Sequence, residues 1–381
     1  MTSQSSLVRW PQIDASDILA VTRVLENQEL TGIGAEALLS FEQKFAHYVG
    51  VKHCLGFNGG TAAIHAALFA VGVRPGDDVI LPALSFSGSF LPVLALGAKP
   101  VFIDIDPRTF NLDPAKIEQK ITAKTRAIMP VHLHGLVADM PEIRKVASKF
   151  GLVVIEDACQ AHGSQYRARK AGSLGSVGCF SLNHTKNLPA GEGGLLVTSN
   201  LDILGRAAAF RVFGENLPNR QYTYRPYLTE HAGLNLILPA MSAALAESQL
   251  ERLDKTNARA TVNAQTIEMA LGDVDRLTLP YAPPSYTHTY HKYRILLDES
   301  IDRDDLLAQL AKRGVPATLW QIKPMPHYPI FKNDDCYYED FPVTQNVLDH
   351  SIIFGNERYP IFAQKFQVIS RWCEILKEIL Q

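Results

Sequence analysis

Lys186 stands in the run SLNHTKNLPAGEGGLLVTSN (181–200), between a strand-like segment and a glycine-rich turn. A single lysine is ordinarily a solvated surface charge. Here Gly191, Gly193 and Gly194 permit a tight backbone path close to a ligand. An amine in such a place, its pKa lowered by desolvation or a nearby cation, is a nucleophile that forms a Schiff base with a carbonyl. Asp157 closes the apolar run VVIEDA (153–158). A carboxylate there needs a cationic or hydrogen-bonding partner; taken alone, a helix N-cap or a metal carboxylate suits it equally well. Gly59-Gly60-Thr61 opens an alanine-rich helical segment. Free N–H groups, the helix dipole and a hydroxyl converge at such a turn and suit a phosphate, although a plain helix start capped by Thr61 explains it too. No Gly-Lys-Ser/Thr follows, so the nucleotide P-loop pattern is not met. Phe86, in LPALSFSGS (81–89), lies just past a strand. It suits stacking on a flat heterocycle or, as a core residue, covering the sheet end.

Together these pieces match one chemistry. An aspartate facing a protonated pyridine nitrogen is the recurrent electronic device of pyridoxal 5'-phosphate (PLP) sites. A Schiff-base lysine, a phosphate turn and a stacking aromatic complete the set. Gln160 follows Asp157 at a distance that returns it to the same pocket.

The elements that must position these residues alternate along the chain. TAAIHAALFAVGV (61–73) reads as a helix, DDVILPAL (77–84) and KPVFIDID (99–106) as strands, and DPAKIEQKIT (113–122) as a helix. TRAIMPVHLHG (125–135) reads as a strand, MPEIRKVASKFG (140–151) as a helix, and LVVIEDA (152–158) as a strand, followed by strands in 177–183 and 193–200. Short β-branched runs between helices predict strands buried on both faces of a mostly parallel α/β sheet, with ligands at the carboxyl ends of the strands. A long helix over 243–271 leads into the proline-rich link LPYAPPSY (279–286). Beyond it the texture changes to a strand (288–298), a helix (303–314) and a terminal helix (362–380), which predicts a smaller α+β domain. We divide the chain into 1–245, with the chemistry, and 246–381.

Composition excludes several classes. Lys and Arg number 37 against 39 Asp and Glu, a net charge of −2, so neither nucleic acid nor an anionic membrane is favoured as partner. No apolar run is long enough to span a bilayer, and the first residues lack the apolar core of a signal peptide. Cys54, Cys159, Cys179, Cys336 and Cys373 are scattered and odd in number, against a disulfide framework, so a reduced, cytoplasmic protein is expected. His132 and His134 flank Leu133 and could share one strand face. Without a nearby carboxylate or cysteine, lining a pocket or satisfying backbone suits them better than a metal. The glycines of AGSLGSVG (171–178) lack the strand-then-helix context of a dinucleotide fingerprint. Arg211, Arg225, His288, His291, Lys292, Tyr293 and His327 are candidates for the substrate side.

The blocks GDDVILPALSF, PVFIDIDPRTFNLDP, MPVHLHGLVADM, IEDACQAHGS, SLNHTKNLPAGEGG and GLNLILPAMSAALAESQLERLD together resemble the DegT/DnrJ/EryC1/StrS family of PLP-dependent sugar aminotransferases, of fold type I. The resemblance implies a large domain with a mostly parallel seven-stranded sheet between helices, plus a smaller C-terminal α+β domain. It makes Lys186 the Schiff-base lysine, Asp157 the partner of the pyridine nitrogen, Gln160 the neighbour of the phenolic oxygen and Phe86 the stacking aromatic. Gly60, Thr61 and Ser181 become phosphate ligands. Asn235 matches an asparagine that reaches the phosphate of a second subunit, which implies a homodimer with composite sites. The expected reaction moves an amino group from glutamate or glutamine to a nucleotide-linked ketosugar or a keto-cyclitol, in amino-sugar or antibiotic biosynthesis. A PLP-dependent dehydratase or lyase and a non-catalytic regulator are the alternatives; Lys186, where the family's dehydratases carry histidine, argues against that lineage, release of 2-oxoglutarate from glutamate separates an aminotransferase from a lyase, and Lys186 with Asp157 argues against a regulator. The chain departs from the family pattern at Gly59, where a serine is usual, and after Asn235, where Leu236 replaces a common arginine.

Overall fold

The computed structural model describes residues 7–215, 228–320, 323–332 and 339–381; Arg225 and Cys336 lie outside the described residues. Its central sheet has seven strands: β1 (His53–Phe57), β2 (Asp78–Pro82), β3 (Lys99–Ile103), β4 (Thr125–Ile128), β5 (Val153–Asp157), β6 (Val177–Ser181) and β7 (Gly194–Thr198). They lie in the order β1-β7-β6-β5-β4-β2-β3. β6, β5, β4, β2 and β3 pair in parallel, and β7 runs against both β1 and β6. The mostly parallel sheet is thus the one the apolar runs predict.

Ten α-helices accompany it: α1 (Ala15–Glu26), α2 (Glu36–Val49), α3 (Gly60–Ala70), α4 (Leu91–Ala95), α5 (Met140–Phe150), α6 (Leu201–Arg211), α7 (Ala240–Leu271), α8 (Arg303–Lys312), α9 (Pro342–Asp349) and α10 (Phe366–Leu380) among the described residues. Side chains alternate across a strand, so each strand feeds two cores. Ile80, Ile128, Val154, Phe180 and Leu195 pack with Phe41 and Phe45 of α2, Ile143 of α5, and Ala243 and Leu253 of α7. Val79, Leu81, Ala127, Ile155 and Leu196 pack on the other face with Ile64 of α3 and Ile203 and Phe210 of α6. α7 spans 32 residues, about 48 Å at the α-helical rise. It supplies Ala264, Ile267 and Leu271 to a third core with Trp372, Tyr293, Ile295 and Phe354. That core covers a second sheet made of Leu277–Thr278, Tyr293–Leu297, Ser351–Phe354 and Ala317–Thr318.

Three expectations need correction. The helix expected over 113–122 is two 3-10 turns, Pro114–Lys116 and Glu118–Lys120; Asp113 caps the first and Ile121 returns to extended backbone. The strand expected over 125–135 stops at Ile128. Pro130 cannot donate to a ladder, and the chain then turns through His134 (φ 56°) and Gly135 (φ 99°). His132 and His134 therefore do not share a strand face. The C-terminal elements also start later than expected, at Tyr293 for the strand and Phe366 for the helix.

Candidate active site

The carboxyl ends of β1, β2, β5 and β6 open on one cavity of about 370 Å³. Gly60, Thr61, Phe86, Asp157, Gln160, Ser181 and Lys186 all line it, so seven of the eight site residues read from sequence are neighbours. Asn235 does not line it. It lies exposed in an extended segment bridged to Val212.

Lys186 sits on a loop that closes on itself. Leu182 N–H donates to Gly193 O and His184 N–H to Gly191 O, both at 2.8 Å, and Lys186 N–H donates to Asn183 O at 2.9 Å. Gly191, at φ 79°, makes the return turn possible. Two distant groups hold the far side of the loop. The Trp10 indole donates to Lys186 O at 3.1 Å. Asn187 Nδ2 donates to Asn257 Oδ1 at 3.0 Å and to Thr289 O at 3.2 Å. Burial pushes the Lys186 ammonium below the ordinary lysine pKa, while Cys159, Asp157, Glu357 and Glu192 pull it back up. Such an amine sheds its proton more readily than a surface lysine.

Asp157 is buried at the end of β5. It neither caps a helix nor joins a metal cluster among the described residues. Ser89 Oγ donates to its Oδ2 at 2.7 Å, and Cys159 N–H donates to Oδ1 at 3.2 Å. Ser89 has one proton and uses it on Asp157, so Ser85, 2.7 Å from Ser89 Oγ, must be the donor in that contact. The preceding residue, Glu156, accepts amides from Gly172 and Leu174 at 2.8 and 2.6 Å, and from Gly175, and sits 2.9 Å from His132 Nε2. His132 Nδ1 accepts the Ala138 amide, which leaves the proton on Nε2 for Glu156. This network fixes the strand end that carries Asp157.

The α3 N-cap is Gly59, not Thr61, and no side chain caps that helix end. A Cβ on Gly60 would stand 2.9 Å from Ser181 Cβ and 3.0 Å from Cys159 Sγ, so glycine keeps the helix start open beside Ser181. Phe86 is 60% exposed, which rules out a core role and leaves its ring at the cavity mouth. Gln160 faces the cavity and accepts the His134 amide at 3.0 Å.

The substrate-side candidates separate sharply. His291 and Lys292 line the cavity. Arg211 is instead buried against Glu42 Oε1 at 2.7 Å and Gly56 O at 2.8 Å. Tyr293 belongs to the third core, His288 stacks on Tyr290, and His327 contacts Glu339 O. Sequence reading missed Ser85, Ser89, Asn183, Glu192, Trp320 and Glu357 on the lining. The serines stood in the quoted SFSGS turn. Trp320 and Glu357 carried no local signal, because distant chain segments bring them in.

The family model described as the DegT/DnrJ/EryC1/StrS aminotransferase family matches residues 11–356. The chain is 37% identical to GDP-perosamine synthase of Caulobacter vibrioides, over 86% of this chain and 88% of that protein. It is 38% identical to the L-glutamine:2-deoxy-scyllo-inosose aminotransferase of Streptoalloteichus tenebrarius, over 74% and 69% of the two. Among solved structures it resembles S. venezuelae DesV in complex with a ketimine intermediate, with TM-score 0.88, 30% identity, and coverage of 98% and 99% of the two chains.

Proposed function

The chain belongs to the DegT/DnrJ/EryC1/StrS aminotransferase family, and from that premise we propose how its own residues carry the reaction. It is a PLP-dependent aminotransferase that moves an amino group from an amino acid to a keto group of a sugar or cyclitol. The cofactor, when bound, supplies the carbonyl that takes up the amine and the ring that absorbs the electron pair. Lys186 Nζ would hold it, and the same amine is placed to move a proton when it is not so engaged. Asp157 holds the ring nitrogen's proton. Gly60, Thr61 and Ser181 would hold the phosphate, Phe86 would cover the ring, and Gln160 would serve its phenolic oxygen. What carries this reading is that Lys186, on the loop after β6, and Asp157, at the end of β5, line one cavity together with the α3 N-terminus.

The decisive experiment is borohydride reduction of the coloured protein followed by peptide mapping. Reading and residue stand if the cofactor is trapped on Lys186 and glutamate or glutamine yields its keto acid. Label on another lysine overturns the assignment.

A homodimer belongs to the same proposal. Asn235 is exposed, and Phe213, Leu228 and Leu234 near it are 43, 62 and 46% exposed, an apolar surface that a second copy would cover. Light scattering tests the dimer. Mixing inactive Lys186→Ala and Asn235→Ala chains tests the composite site, because one site of each mixed pair regains both residues.

A further inference from the structure

The cavity needs a cation for the carboxylate of the amino donor, because a buried anion without a partner is costly. The cationic side chains among its described lining residues are few. Lys186 is committed to the cofactor. His184 is exposed at the rim, where water competes. His291 is held neutral. Asn187 uses its Nδ2 as donor to Asn257 and Thr289, so its Oδ1 is an acceptor, and His291 Nδ1, 3.2 Å away, must donate to it. In the neutral form that burial favours, His291 Nε2 is then a bare acceptor, buried and without a partner, and such an atom repels a carboxylate. Burial also drives the His291 pKa well below the ordinary histidine value.

Lys292 remains. Its side chain is 9% exposed, and its Nζ lies 3.4 Å from Glu357 Oε1 and 5.7 Å from the Trp320 ring centre. Glu357 is 59% exposed and can swing into water. We propose that Lys292 is the residue that binds the donor's carboxylate, and that Glu357 occupies the same position in the resting enzyme until the donor displaces it. The exchange leaves the charge beside Lys292 unchanged, which makes it inexpensive. A nucleotide diphosphate fits this spot poorly. It carries more charge than one ammonium balances, and Glu192 and Glu357 both line the same cavity.

The proposal rests on the aminotransferase reading, and the test separates the two. Wild-type, Lys292→Gln, Lys292→Arg and Glu357→Gln holoenzymes are titrated with L-glutamate and L-glutamine in the absence of acceptor, following loss of the cofactor's visible absorbance. Lys292→Gln should raise the donor's apparent Kd roughly 10- to 100-fold, the scale of one charge-assisted hydrogen bond. Lys292→Arg should stay within a few-fold, and Glu357→Gln should bind donor more tightly than wild type. With 2-deoxy-scyllo-inosose added to the aminated enzyme, the Lys292→Gln half-reaction should match wild type. Unchanged donor binding in Lys292→Gln, a loss confined to the acceptor half-reaction, or weaker donor binding in Glu357→Gln each overturns the proposal. If Lys292→Gln fails to take up cofactor, the other two variants decide. A wild-type protein that no donor bleaches defeats the underlying reading instead.

Discussion

The two ends of the cavity are built differently. The inner end is made by strand ends and the helix start that follows β1: Asp157 closes β5, Ser181 closes β6, and Gly60 begins α3. Its polar groups are fixed by short local hydrogen bonds, such as Ser89 to Asp157 at 2.7 Å. The outer end is made by His291, Lys292, Trp320 and Glu357, which come from the C-terminal part of the chain and meet the Lys186 loop through packing and the His291–Asn187 contact at 3.2 Å. The Lys292–Glu357 ion pair there is looser, at 3.4 Å, with the glutamate side chain mostly in water. A rigid inner end suits a permanent cofactor, and a looser outer end suits substrates that must come and go.

The largest effect that tests this contrast is at the inner end. Lys186→Ala removes both the anchor and the proton carrier, and turnover should fall by about 10,000-fold or more, with loss of the visible absorbance. A variant that keeps its colour and its turnover would show that the inner end is not where the chemistry occurs.

The same contrast decides what the sequence could reveal. Inner-end residues lie within a few positions of their strand or helix ends, so Lys186, Asp157 and Gly60 could be singled out from local pattern, although each kept an alternative reading until the pieces were taken together. The sheet was readable because strands buried on both faces spell continuous apolar runs. Phe86 kept two readings until its exposure was known. Trp320 and Glu357 could not be found, because their place depends on how α7 joins the cores, a long-range fact with no local spelling. Pro130 was the clue that ended β4 early, and the helix expected at 113–122, although its proline and Asp113 cap suit a helix start, closes only two 3-10 turns before Ile121 returns to extended backbone. Arg211 misled for the opposite reason: a buried arginine paired with Glu42 looks, in sequence, like any cation available for a substrate.

A second test asks whether the inner end is rigid because of its hydroxyl chain. Ser89→Ala removes the donor to Asp157 Oδ2 and breaks the Ser85–Ser89 contact. We expect cofactor affinity to fall roughly 10- to 30-fold, as for a lost hydrogen bond to a charged group, and the visible band to shift. Ser89→Thr, which keeps the hydroxyl, should recover most of both. Loss of thermal stability with unchanged cofactor affinity and band would reduce Ser89 to a packing residue.

The outer end can be tested by pH alone. Burial is the main cause that lowers the Lys292 pKa to about 8; Glu357 raises it, and Lys186 and Arg294 lower it further. His134 and His291 also feel this charge and are themselves held neutral by burial. The protonated amine is the form that binds a carboxylate. Donor affinity should therefore be full well below pH 8 and fall as pH rises through it, by roughly tenfold between pH 7 and 9. That limb should vanish from the profile of Lys292→Gln and move upward in Lys292→Arg. A wild-type limb that survives in Lys292→Gln would assign it to another group.

The smallest effect sharpens the inner end from the opposite direction, by adding a group. Gly59 is the α3 N-cap, with extended backbone (φ −172°, ψ 157°) that any residue adopts, and a Cβ placed there meets nothing within 4 Å. Neither strain nor crowding therefore demands glycine at this position, unlike Gly60. Gly59→Ser should fold unchanged and gain a few tenths of a kcal/mol from the cap. If the phosphate sits at this helix start, the new hydroxyl should also tighten cofactor binding about threefold, the yield of one modest hydrogen bond. Calorimetry reads the first gain and absorbance titration of the apoprotein reads the second. A cap gain without tighter cofactor would place the phosphate away from the Gly59 side chain, leaving it to Thr61 and Ser181, and weaker binding would mean that the substituted position crowds the ligand itself.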